Sequence, residues 1–266
     1  MFEKLKIDCE NCFALCCTAL YFSKSDGFPT DKESGTPCTN LQKDFRCKIH
    51  NTLLEKGMKG CTNFDCFGAG QKVSQFTFKG KNWKEFPELS KKMFEVFSVM
   101  VQLHEMMWYL SEIIVFNENS NTGDSIIHLK NQIENLTYLD SDSLLSLDIL
   151  SYREKTGLFL KQVIDKTKTI NSKNTIGGRL DLIGADLRKK NLKYVDLKGA
   201  FLIAADLRSC NLIGVNFLGA DLRDADIRGA DLRQSFFLTQ SQINSAIGNL
   251  KTKLPEHIEY PKKYKI

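Results

Sequence analysis

A large apolar residue recurs at every fifth position from Leu182 to Phe237, and no ordinary helix or strand has that period. The series runs Leu182, Leu187, Leu192, Leu197, Leu202, Leu207, Leu212, Phe217, Leu222, Ile227, Leu232 and Phe237. Two positions before each lies a small or apolar residue, as in Ala185, Ala205 and Ala225, with Lys190 the exception. One position before, ten of the twelve units carry Asp or Asn. A helix repeats every 3.6 residues and a strand every two. A period of five demands a coil of short extended sides joined by sharp corners. Along such a side the series residue and the small residue two before it face inward together. The Asp or Asn between them faces outward, where its short side chain bonds backbone at the corner. Lys190 must then turn outward or make its unit irregular. Cys210, in an inward slot, reads as a small core residue.

Units such as Ala185-Asp-Leu-Arg-Lys and Ala220-Asp-Leu-Arg-Asp resemble the pentapeptide-repeat family, whose signature is A-(D/N)-L-x-x. The resemblance covers residues 180–239. It implies a right-handed quadrilateral β-helix with four pentapeptides per coil, so that twelve units give a three-coil solenoid. On four units per coil, Asp186, Asp206 and Asp226 stack beside Arg188, Arg208 and Arg228. With rungs about 4.8 Å apart, each like-charge ladder needs the other for neutralisation. Two further faces carry outward apolar residues: Ile183, Phe201 and Ile203 on one, Leu218, Phe236 and Leu238 on the other. Such residues form the expected interaction surface, covered by the helical middle, a partner protein or a second copy of the chain. Open ends of a coil need caps, and Thr239 to Gly248 reads as a short capping helix.

The other constraint is a cluster of thiols. Eight of the nine cysteines lie between Cys9 and Cys66. No secretory leader is visible at the start, since acidic residues occupy the place of an apolar core, and the longest apolar stretches are too short for a membrane span. A cytoplasmic chain is expected, where clustered thiols read as metal ligands before disulfides. Residues 9–17 form a C-x2-C-x3-C-C array; were this segment helical, Cys9, Cys12 and Cys16 would share a face. With Cys17, Cys38, Cys47, Cys61 and Cys66, and with His50 as a further candidate, the donors suit tetrahedral zinc or an iron–sulfur cluster. Eight thiols suffice for two sites, and the spacing does not choose between one and two. This region, roughly residues 5–70, is similar to the zinc- or iron-chelating domains named for their CxxCxxCC motif. It matches through Cys38-Thr-Asn-Leu41, Cys47-Lys-Ile-His50 and Lys59-Gly-Cys61, and departs by three residues rather than two before the cysteine pair.

Between head and repeats, apolar residues from Leu89 to Leu110 recur at helical spacing, predicting a helix over 87–116. Further helices are expected over 125–138 and 143–167, with a polar loop at 117–123 and a hairpin at 74–83. His104, between Met100 and Trp108 on one helical face, reads as a core histidine. The expected domains are a Cys-rich head (1–84), a helical middle (85–172), the repeats (176–239) and a C-terminal cap and tail (240–266).

The chain of 266 residues carries a net charge of +5 and shows no nucleophile–base pair. The expected function is therefore a non-catalytic metal-binding protein that presents its solenoid to a protein partner, or to a second copy through the solenoid or its C-terminal end. An iron–sulfur-dependent protein-modifying enzyme and a redox sensor are the alternatives. Protection of a topoisomerase by DNA mimicry fits poorly: residues 175–240 hold eight Asp against ten Lys and Arg, and a phosphate mimic should be acidic. Nucleic acid and membrane are not expected partners.

Overall fold

In the computed structural model, which describes residues 1–53, 55–116, 123–170 and 181–265, the regular elements are helices. In chain order they are α1 (Leu15–Ala19), α2 (Lys59–Asn63), α3 (Ala69–Gln71), α4 (Ser90–Phe116), α5 (Gly123–Leu136), α6 (Ser141–Leu145), α7 (Ile149–Ile170) and α8 (Gln240–Ser245). The chain divides into two compact units, Met1–Leu160 and Lys161–Ile266.

In the first unit α4 is the central rod. A 3-10 turn, Pro87–Leu89, leads into it, with Pro where a first helical residue needs no N–H partner. Met93, Phe97, Met100, Leu103, Leu110 and Ile113 are fully buried along it. It packs against α5 and α6, and against α1 and α3 of the head. The helix expected over 143–167 is broken in two, because its serines and aspartates bond backbone instead of continuing the helix. Asp140 accepts from the N–H groups of Asp142 and Ser143 to start α6, and Asp148 accepts from Ser151 N–H to start α7. The hairpin expected at 74–83 is a correction too. Residues Lys72–Thr77 extend α3 as a π-helical turn, closed by Phe78 N–H donating to the Val73 carbonyl at 3.0 Å. The loop expected at 117–123 falls almost wholly outside the described residues.

The second unit corrects the expected right-handed quadrilateral β-helix of three coils. Among the described residues there is no strand and no sheet. Single parallel bridges join positions twenty residues apart, such as Asp186 to Asp206 to Asp226 and Asp196 to Asn216 to Phe236. The reason lies in what five residues must do. One outward residue makes the bridge, two inward residues fill the core, and two make the corner, so no side reaches the consecutive pairings that define a strand. At the corner the second residue takes a left-handed backbone at Gly184, Tyr194, Gly199, Ala204, Ser209, Gly214, Gly219, Asp224 and Gly229. Glycine occupies that slot in five of these nine, since only glycine adopts it without strain. The outward Asp or Asn accepts the N–H two residues on, as Asp206 does from Arg208 and Asn216 from Leu218.

The inward series is buried: Leu207, Leu212, Phe217, Ile227 and Leu232 are inaccessible, as are Ala200, Ala205, Ala225 and Ala230. Cys210 is buried among them, its thiol 3.5 Å from the Leu187 carbonyl. Lys190 is exposed, and the bridge that would join Asn191 to Asn211 does not form. The C-terminal end is closed by the chain itself. Thr239 and Gln242 form a reciprocal capping box on α8, and Gln242 Nε2 donates to the carbonyls of Phe217 and Ala220. Ile247 then bridges Asp226 and Lys253 bridges Asp231.

Candidate metal centre and repeat surface

The cysteine array is not one helix. Asp8 caps a 3-10 turn, Cys9–Asn11, by accepting from the N–H groups of Glu10 and Asn11. Ala14, left-handed at φ 55°, then turns the chain into α1, which carries Cys16 and Cys17. Cys9 is exposed, Cys66 is buried, and the other six lie between. His50 is exposed, and its backbone N–H donates to the Cys47 carbonyl at 3.2 Å.

Four sulfurs receive backbone N–H groups from the residues that follow them. Cys12 is approached by the amides of Ala14 and Leu15, Cys47 by that of Ile49, and Cys66 by those of Gly68 and Gly70. Asn40 N–H lies 3.5 Å from Cys38 Sγ. Such bonds favour a thiolate over a thiol. Burial acts the other way: it is the largest influence on Cys9, Cys12 and Cys66, each pushed up to about 11, and on Cys61, pushed up to about 12. Cys16 and Cys17 share one S–H···S bond of 3.8 Å, so that one thiol, Cys16, is raised and its neighbour Cys17 lowered.

Residues that the sequence did not single out organise these donors. Gly70 on α3 has no room for a side chain: a Cβ there would stand 2.6 Å from Cys12 Sγ and 3.9 Å from Cys66 Sγ. Lys32 ties the loop between Cys17 and Cys38, its ammonium donating to the carbonyls of Thr18, Leu20, Glu33 and Thr36. Cys38 N–H then reaches the Cys17 carbonyl at 3.0 Å, and Leu41 bridges Cys47. His104 Nδ1–H donates to the Phe67 carbonyl at 2.6 Å, fixing the turn after Cys66. Burial lowers the imidazole to about 4, so it stays neutral as a core histidine. A glycine beside a motif is a legible clue in Gly68-Ala-Gly70; for Lys32 no sequence signal exists.

Among the described residues, no three His, Cys, Asp or Glu side chains converge closely enough to hold a metal ion. Thiol chemistry suits a soft cation, but as placed these side chains do not form a coordination shell.

On the repeats, Asp186, Arg188, Asp206, Arg208, Asp226 and Arg228 interlock. Each Arg takes its own Asp at 2.6–2.7 Å, and Arg188 and Arg208 reach the next Asp at 3.2 and 3.6 Å. The like-charge columns thus neutralise each other. The apolar residues separate. Ile183 and Phe201 are more than half exposed, while Phe236 and Leu238 are buried and offer nothing to a partner. Ile203 and Leu218 lie between those extremes.

A stack of short turns in twenty-residue register defines the class, and residues 202–237 match the family model "Pentapeptide repeats" in eight copies. The chain is 46% identical over 265 residues to the uncharacterized protein YybG of Bacillus subtilis (strain 168), across 98% of this chain and 95% of that one. It belongs to the same family as this relative, and its own residues 202–237 carry the pentapeptide repeats. No described helix is long and apolar enough to cross a membrane.

Proposed function

We propose that the chain is a metal-binding protein, loaded with zinc or an iron–sulfur cluster through its cysteine head, that presents its repeat turns to a protein partner. The observation that carries this reading is the set of backbone amides aimed at Cys12, Cys38, Cys47 and Cys66. Buried thiols beside one another hold their protons; a soft dication would displace those protons and take up the N–H-supported thiolates. The resemblance of the head to the CxxCxxCC domains agrees with this reading. The apolar part of the partner surface is Ile183, Phe201 and Ile203, on adjacent turns. A self-associating chain would use the same face, because its C-terminal edge is already bonded by α8 and the tail.

A redox-sensing role is the second reading, and Cys17 favours it. The Cys16 hydrogen bond lowers this thiol, burial opposes, and the Lys32 charge assists, leaving a more reactive sulfur beside a donor thiol. Protein purified without oxygen and assayed for iron, zinc and acid-labile sulfide separates the readings. Zinc without sulfide supports the binding role, and iron with matching sulfide supports the sensor. Neither metal, with all head thiols free to alkylating reagent, refutes both.

A further inference from the structure

The four columns of the repeat stack differ in charge, and one of them is basic. Asp186, Asp206 and Asp226 are each matched by an Arg of their own unit. The column of Asp196 sets Lys198 against that Asp, and the column of Ile183 and Phe201 sets Arg223 against Asp181, Asp221 and Asp224. The fourth column runs through Asn191, Asn211, Asp231 and Lys253, and it holds Lys190, Lys193, Arg233 and Lys253 against Asp231 alone. From this surplus we infer that the fourth face is a docking surface for an acidic segment of a protein partner. The inference deepens the protein-partner part of the reading above, on a different face from Ile183 and Phe201, and needs no metal.

The register of this face is fixed by backbone bonds. Tyr194 N–H donates to the Ile213 carbonyl and Gly214 N–H to the Gln234 carbonyl, each at 2.9 Å, and single bridges join Asn211 to Asp231 and Asp231 to Lys253. Lys190, Lys193, Arg233 and Lys253 are all exposed. Asp231 accepts from Arg233 at 2.6 Å and lies 3.7 Å from the Lys253 ammonium, so one carboxylate serves two cations at the lower end. At the two upper rungs the outward residue is Asn, not Asp. Asn191 and Asn211 use their side-chain oxygens on the N–H groups of Lys193 and Ile213, which leaves each Nδ2 as a donor on an exposed residue. Cations therefore stand at both ends, with the Asn211 amide, the half-buried Ile213 and the Tyr194 ring over Gly214 between them. With rungs about 4.8 Å apart, the ends are roughly 14 Å apart, the span of about four residues of extended peptide. Such a peptide, acidic at both ends and apolar between, matches the face in charge and length. A nucleic acid takes its affinity from many phosphate contacts at once, and this surplus supplies few.

The test uses the full chain and a dye-labelled hexaglutamate peptide, read by fluorescence anisotropy at low salt, with a short DNA duplex as the competing probe. The peptide is expected to bind, and the pair Lys190→Gln and Lys193→Gln together should weaken it about tenfold. Asn211→Asp should weaken it several-fold while both lysines stay in place, because it adds a like charge to the middle of the face. That variant sets here the Asp that other units carry, so its circular dichroism should match the parent's. Lys198→Gln, on the next column, should leave binding unchanged. Absence of hexaglutamate binding, or an equal loss in Lys198→Gln, overturns the docking surface. Duplex bound more tightly than peptide, and released by the same lysine pair, assigns the face to nucleic acid and overturns it too. These outcomes leave the metal content of the head untouched, so failure here is distinct from failure of the metal reading.

Discussion

Leu207→Ala is expected to destabilise the second unit by about 4 kcal/mol while leaving the first unit unmoved. Leu207 is inaccessible to solvent and stands in a column between Leu187 and Ile227, both also buried. Removing three methyl or methylene carbons from such a site costs about 2–5 kcal/mol, depending on how far the surroundings collapse. Collapse is resisted here, because the Asp186–Asp206–Asp226 bridges hold the turns above and below at fixed spacing. Backbone bonds 2.9 Å long, from Leu187 N–H to the Asp206 carbonyl and Leu207 N–H to the Asp226 carbonyl, do the same. The loss should therefore lie toward the upper end of that range. With a urea dependence of roughly 2 kcal/mol per molar for a unit of this size, the midpoint falls by about 2 M. The assay has an internal control: the two tryptophans, Trp83 and Trp108, are both in the first unit, so their fluorescence follows its unfolding while far-ultraviolet circular dichroism follows both. The neighbouring Arg208→Gln removes a partly exposed ion pair with Asp206 and should leave both transitions nearly unmoved. A Leu207→Ala loss below about 1 kcal/mol, or an equal shift in the fluorescence transition, would refute a rigid, separately cored stack.

Gly70→Ala places a Cβ against Cys12 Sγ and should weaken zinc binding about 10- to 100-fold in competition with a chelator; unchanged affinity would remove Gly70 from the site's support. His104 has a folded value of about 4 against an ordinary 6.5, so its stabilising effect is complete above pH 6.5 and is lost as pH falls toward 4. In metal-free protein that loss is about 3 kcal/mol, and His104→Gln should flatten the fluorescence-monitored stability profile across this window; parallel profiles would contradict it. Tyr264 hydroxyl donates to the Ile243 carbonyl at 2.9 Å while buried, so Tyr264→Phe should lower the stability of the second unit by about 1 kcal/mol in thermal melts.

The inward and outward positions of the repeat were legible because they follow from a strict period and a narrow interior. The period demanded a corner but did not say which residue takes the left-handed backbone there. Short extended sides were expected to pair as a β-helix, but with a left-handed residue in nearly every five, which glycine at 184, 199, 214, 219 and 229 marks, only single bridges form. Phe236 and Leu238 were misplaced for a related reason: the regular register ends at this point, and Thr239 turns the chain into α8. In the head, thiol clustering was visible, but its organisation depends on Lys32 bonding four carbonyls and on the steric gap at Gly70. Neither has a spacing rule. The break between α6 and α7 was written in Asp140 and Asp148, residues whose capping role competes with an apolar pattern that runs through both.

The twenty-residue register sets which insertions and deletions the second unit can tolerate. Loss of one residue exchanges inward for outward positions in everything beyond it, and exposes the core of each later turn. Loss of five restores inside and outside but advances every face by one column, so that Arg188 no longer meets Asp206. Only a change of twenty leaves both the core and the interlocked charges in line. Length variation among related chains should therefore come in whole turns, or fall beyond Lys253, the last residue bridged to a column.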